Sequence, residues 1–182
     1  MHKDFEVILA HARHLVFLAV CFALGPVGSG IAQADDNPSA GLDEQYEDWT
    51  VQCAEATDAV ICTMVQDVRQ QGQSERIMSA RVDLVTSDTP RLTLIVPLGL
   101  DLAAGIGVYP GSSETAIASV SPRVCQQSEC YAFLPMTPDF QEAVADSIAL
   151  RLRMTPFNAQ AREVPLSLRG FSEALDRLHD LQ

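Results

Sequence analysis

The chain has 182 residues, 47% of them hydrophobic and 20% charged, and its 12 Lys+Arg stand against 24 Asp+Glu for a formal charge of −12. That length makes one domain, and the balance is globular rather than disordered. So large an excess of acid argues against nucleic acid as a ligand and against electrostatic docking on anionic lipid, since both need basic side chains.

Residues 1–34 read as an export signal. Lys3, His11, Arg13 and His14 precede an apolar run from Leu15 to Leu24, which Gly25, Pro26 and Gly28 break. Ala32-Gln33-Ala34 follows, the small-x-small pattern of a signal-peptidase site. The run is shorter than the about 20 apolar residues of a spanning helix. Cys21 follows Val20 after too short an apolar run for a lipoprotein signal. Cleavage is expected after Ala34, leaving no transmembrane anchor and a periplasmic or envelope protein. Lys3, the only lysine, leaves with this segment, as do His2, His11 and His14. The remaining 148 residues keep His179 and ten arginines at a charge of −12.

Residues 35–47 form a lead-in expected to be mobile: Asp35 to Gly41 is polar and turn-rich, and Leu42–Glu47 is read with it. A single domain is expected over 48–182. Trp49-x-Val51-x-Cys53 alternates at period two, as a half-buried strand does. Val60 to Val68 continues the pattern, with Val60, Cys62, Met64 and Val68 on one side. Ile77 to Val85 and Leu92 to Val96 are the next strands, and Pro97 ends the second because it lacks a ladder N–H. Gly99, Gly105, Gly107 and Gly111 make the middle region turn-rich, and close packing or φ > 0 turns account for them. Thr137 as N-cap, Pro138 at the first position and Asp139 beside it start a short helix. Ile148-x-Leu150-x-Leu152-x-Met154 and Val164-x-Leu166-x-Leu168 are the clearest strands. A last helix follows Gly170, with Ser172 as its expected cap and Phe171, Leu175, Leu178 and Leu181 on one face. The expected fold is all-β, an antiparallel sandwich or barrel-like sheet with two short helices, one at the C-terminus.

Four cysteines remain after export: Cys53, Cys62, Cys125 and Cys130. An even count in an oxidising compartment reads as disulfides. Of three possible pairings, the local one is favoured, Cys53–Cys62 and Cys125–Cys130, because each pair flanks a turn-like stretch. Such short loops stabilise by about 2–3 kcal/mol each. Spacings of x₈ and x₄ suit neither a zinc site built from C-x₂-C pairs nor a C-x-x-C redox motif.

The catalytic inventory is poor. Nucleophilic triads need an imidazole, and His179 sits at the end of a terminal helix, where it favours the dipole. No lysine remains for a Ser-Lys dyad or a phosphate loop, and Gly105-x-Gly107 lacks the rest of such a loop. No metal or cofactor is expected. Asp67, Glu75, Asp83, Asp101, Glu114, Asp139 and Asp146 are scattered acids, and an active pair among them would make a carboxylate-based hydrolase. Arg151 and Arg153 share a strand face, where they either bind an anion or take cross-strand acid partners.

Several segments together resemble a known family. They are Trp49-x-Val51-x-Cys53, Cys62-x-Met64-x-Gln66, Val96-Pro-Leu-Gly-Leu100 with Leu102 and Gly105, Cys125 with Cys130-x-Ala132, and Leu166-Ser-Leu-Arg-Gly-Phe171 with Ala174 and Leu175. In this order, over residues 48–178, they resemble the invasion-associated locus B family of exported bacterial proteins. The resemblance implies a periplasmic or envelope protein without a recognised catalytic site. The expected function is a non-enzymatic module that binds an unidentified envelope or surface protein. The alternative is a carboxylate-based hydrolase or a periplasmic binder of small ligands.

Overall fold

A computed structural model describes residues 41–70, 72, 74–86 and 89–181. The expected signal segment lies outside them. The elements in chain order are β1 (Asp43–Tyr46), β2 (Trp49–Ala56), β3 (Ala59–Arg69), β4 (Arg76–Thr86), β5 (Thr89–Pro97), β6 (Ile106–Pro110), β7 (Ala118–Val120), β8 (Val124–Gln126), β9 (Glu129–Pro135), α1 (Pro138–Val144), β10 (Ala149–Met154), β11 (Arg162–Ser167) and α2 (Phe171–Asp180).

The strands form two antiparallel sheets, of order β1-β2-β3-β4-β5-β9-β8 and β11-β10-β6-β7. Neither closes into a barrel. Their facing sides carry the alternating apolar residues: Val51, Met64, Val82 and Leu94 from the larger sheet, and Ile106, Val108, Leu152 and Leu166 from the smaller, all buried. Four strands cannot cover seven. The apolar face of α2, Phe171, Ala174, Leu175 and Leu178, joins the same core and packs against β1, β2 and β3.

One corner joins the layers by hydrogen bonds rather than by apolar contact alone. The Trp49 indole Nε1 donates to the Ser167 carbonyl at 2.9 Å. The Gln66 amide, buried on the inner face of β3, donates to the same carbonyl at 3.1 Å and accepts from the Ser167 N–H at 2.9 Å. Ser167 Oγ donates to Asp48 at 2.7 Å. Phe171 meets the Trp49 ring edge-on, with centroids 5.1 Å apart.

Three expectations are corrected. The lead-in is not loop throughout: Asp43–Tyr46 is an edge strand that pairs with β2, with Tyr46 opposite Trp49. The middle region is not only turns: Ile106–Pro110 is a strand between β10 and β7. Gly107 belongs to that strand and leaves room for the Tyr109 ring, whose Cε2 would lie 2.8 Å from an added Cβ. Ser172 does not cap α2. Gly170 occupies the cap in the left-handed conformation, φ 73°, with no side-chain cap bond. Thr137 does cap α1, its Oγ1 accepting from the Phe140 N–H at 3.3 Å.

Gly170 is required twice over. Its φ disfavours a side chain, and an added Cβ would lie 2.1 Å from the Tyr46 carbonyl oxygen. Gly41 has a similar φ of +77° but open space around it. We expect G41A to cost about 1 kcal/mol from backbone strain alone and G170A to cost at least about twice that. Urea unfolding measures both. Equal losses would remove the Tyr46 contact as the reason.

Candidate interaction surface

The cysteine sulfurs lie at bonding distance in the local pairing, 2.13 Å for Cys53–Cys62 and 2.00 Å for Cys125–Cys130. Each pair stands directly opposite in register, across β2–β3 and β8–β9. The backbone N–H and carbonyl of Cys53 turn toward Leu42 and Gly41 on the other side. Cys53 and Cys62 are therefore a non-hydrogen-bonded pair, the position where antiparallel backbones approach closest. Two-residue turns, Thr57-Asp58 and Gln127-Ser128, fix these registers.

Arg151 and Arg153 project together from β10 and meet Glu163 on β11. Arg151 Nη1 lies 2.8 Å from Glu163, and Arg153 Nη2 lies 2.7 Å from it. Glu114 stands 3.7 Å from Arg151. Both guanidiniums lie over the Tyr109 ring, at 5.6 and 4.5 Å from its centroid. Arg151 also donates to the Gly111 carbonyl at 2.9 Å and to that of Ser113 at 2.5 Å. Two cations with two carboxylates leave no net charge to attract an anion. The cross-strand alternative is the one the structure adopts.

Among the other acids, Asp67 and Glu129 both meet Arg76. Asp67 is held by Arg69 and Ser79, Asp83 pairs with Arg91, and Asp101 caps a turn. Asp139 stands in the first turn of α1. Hydrogen bonds from Arg153 and Arg151 hold the Glu163 carboxyl below the usual carboxylate range. Those from Arg177 and Tyr46 do the same for Glu44. Among the described residues, no three His, Cys, Asp or Glu side chains converge as metal ligands. His179 lies in the last turn of α2.

Several open depressions mark the surface. One, about 560 Å³, lies over β1–β4 with Leu42, Ala54, Ile61 and Arg81 along it. Another, about 490 Å³, lies beside Ile117, Leu134 and Phe140. A smaller one, about 260 Å³, lies between α1 and α2 beside Val144, Leu168 and Leu175.

A third feature was not singled out from sequence. At one end of the sandwich, loops 97–105 and 156–161 run side by side. The Phe157 N–H donates to the Gly99 carbonyl and the Asp101 N–H to that of Thr155, each at 2.8 Å. Leu98 is 52% exposed, Leu102 44% and Phe157 70%. Asp101 is the only charged residue in the two loops, and its carboxylate accepts from the Ala103 and Ala104 N–H groups at 3.0 and 3.3 Å. Large apolar side chains are usually withheld from such loops, so their exposure together marks an interaction surface. The signal was present in the apolar Pro97-Leu-Gly-Leu-Asp-Leu102, but its neighbour across the tip comes from a distant loop.

The profile of the Invasion associated locus B (IalB) protein family matches residues 49–179. The chain belongs to this family. Two invasion protein B homologs of Brucella abortus, from strain 2308 and from biovar 1 strain 9-941, are each 28% identical over 156 residues. Each alignment covers 84% of this chain and 88% of the relative. The crystal structure of invasion associated protein b from Bartonella henselae shares the fold, with a TM-score of 0.69 at 23% identity. That match covers 78% of this chain and 97% of the other. Trp49, Gln66, Ser167, Gly170 and Phe171, all within the segments that carried the resemblance, meet at the corner described above as structural residues.

A depressed carboxyl stabilises the folded state above its unfolded pKa, and that contribution is lost as pH falls through its folded value. Stability linked to Glu163 should therefore decline as pH drops below about 4.5. In E163Q the melting temperature should fall less steeply over that acid range than in the wild type. Parallel pH profiles would show that Glu163 contributes nothing there.

Proposed function

We propose that the protein is a non-enzymatic envelope component, exported through residues 1–34, that docks on an envelope or surface component through the apolar tip of loops 97–105 and 156–161. The observation that carries this reading is the shared exposure of Leu98, Leu102 and Phe157 on loops with a single charge. The two cysteine pairs suit an oxidising compartment. Among the described residues, no helix is long and apolar enough to cross a membrane.

A hydrolytic role has less support. Carboxylate acid catalysis needs one carboxyl kept protonated near neutrality. Glu44 and Glu163, each hydrogen-bonded to arginine, are held toward the anion.

Two measurements test the proposal. Intact mass of the protein from its native host should correspond to a chain beginning at Asp35, with four thiols appearing only after reduction. A retained leader or four free thiols would overturn export to an oxidising compartment. Cross-linking in intact envelopes should give adducts with the wild type, and these should fall roughly tenfold in L98S/F157S at unchanged melting temperature. Adducts of equal yield would remove the tip as the docking site.

A further inference from the structure

We propose that the Cys125–Cys130 disulfide is a thiol-exchange site, opened by the dithiol of an exported oxidoreductase while Cys53–Cys62 stays closed. This goes beyond docking and makes no use of the apolar tip. The two disulfides close loops of the same kind, each across a two-residue turn. They differ in their surroundings.

Exchange begins when an outside thiolate reaches a disulfide sulfur, so access decides which bond reacts. Cys53 and Cys62 are both buried. Cys53 borders the depression over β1–β4, yet only 5% of it is exposed. Strands β2 and β3 pair over seven positions, from Thr50 with Val65 to Ala56 with Ala59, and β1 and β4 flank them. Cys125 is placed otherwise. Every residue of β8 is exposed. This strand ends the larger sheet and pairs with β9 over three positions. An exposed edge ladder so short opens locally at small cost. Loop length acts in the same sense. A separation of 5 residues, against 9 for the other bridge, restrains the unfolded chain less, so the fold loses less when this bond opens.

The two sulfurs of the bridge are also distinct. Cys130 is buried, opposite Val96 of β5, whereas Cys125 is exposed. The outside thiolate therefore attacks Cys125 Sγ. The S–S bond breaks with its electron pair going to Cys130 Sγ, which takes a proton from water reaching it as β8 opens. Cys130 keeps its place as a neutral thiol, since free cysteine behaves as a small apolar side chain. The second thiolate of the oxidoreductase then attacks its own sulfur in the mixed disulfide and releases Cys125, which is protonated in turn. The pair gains two electrons and two protons, and the dithiol leaves oxidised to a disulfide.

The test uses folded protein recovered from its exporting host, with dithiothreitol as a small dithiol and reduced thioredoxin as a protein dithiol. Alkylation with iodoacetamide and peptide mass analysis then read which cysteines have opened. With both reagents, label should appear on Cys125 and Cys130 roughly tenfold faster, or more, than on Cys53 and Cys62. Equal rates, earlier label on Cys53 and Cys62, or no label with thioredoxin overturns the proposal. Thioredoxin whose second active-site cysteine is replaced by serine should be trapped as a mixed disulfide on Cys125. Trapping on Cys130 overturns the direction of attack. Four free thiols in the recovered protein would remove this proposal together with export to an oxidising compartment. Two closed disulfides that open without selectivity would remove this proposal alone.

Discussion

The peptide group of Ser167 carries the join between the two layers. Two side chains of the larger sheet, Trp49 and Gln66, spend their polar atoms on the carbonyl and N–H of this one residue in the smaller. Apolar packing is tolerant of sliding, because one aliphatic contact substitutes for another. A buried amide is not tolerant. Removing one partner leaves a desolvated donor or acceptor, at about 1–3 kcal/mol. The bonds therefore fix which part of β11 faces which part of β2 and β3. Once Ser167 is placed, the chain turns at Gly170 against the Tyr46 carbonyl, and Phe171 lands on the edge of Trp49. Helix α2 then lies where Arg177 reaches Glu44 at 2.8 Å, and the edge strand β1 is pinned beneath it.

Much of this was legible in sequence where it depends on local period. The strands around Trp49, Val82, Leu152 and Leu166 follow from alternation, and the cysteine pairing follows from short turns. The helix start at Thr137-Pro138 follows from cap chemistry. What escaped depends on distant neighbours. Gln66 reads as a polar interruption in an apolar stripe, because its partner is 101 residues away. Ser172 is a good local cap. It yields to Gly170 because the Tyr46 backbone needs the space a side chain would fill. Of the two reasons for a glycine at 107, close packing is the one that holds, since it is a strand residue making room for Tyr109. The strand Asp43–Tyr46 is short, and its exposed residues are polar, so its pattern was too weak to separate from a lead-in.

The candidate surface shows the same division. Arg151-x-Arg153 is conspicuous in sequence and is neutralised in the fold by Glu163 and Glu114. The apolar tip is inconspicuous in sequence, since each loop alone resembles an ordinary Gly/Pro-interrupted connection. It becomes a surface only because β5 and β10 end beside one another. The single bridge between Leu100 and Pro156 then joins the two loops.

Tip and corner occupy opposite ends of β11, which leaves the tip at Arg162 and reaches the corner at Ser167. This arrangement separates the demands of stability from those of binding. Cross-layer polar bonds gather at one end, so the other can expose apolar side chains without weakening the join. The surface between them offers little long-range attraction. Arg69, Arg76, Arg91, Arg151, Arg153, Arg169 and Arg177 are all tied to carboxylates, and the chain remains strongly acidic. Charge of one sign keeps copies of such a protein apart over roughly a Debye length, about 8 Å at physiological salt. A tip whose single carboxylate, Asp101, is bonded within its own turn weakens that repulsion locally. Contact through it is governed by the area of apolar surface removed from water, a short-range term that needs no complementary charge on the other side.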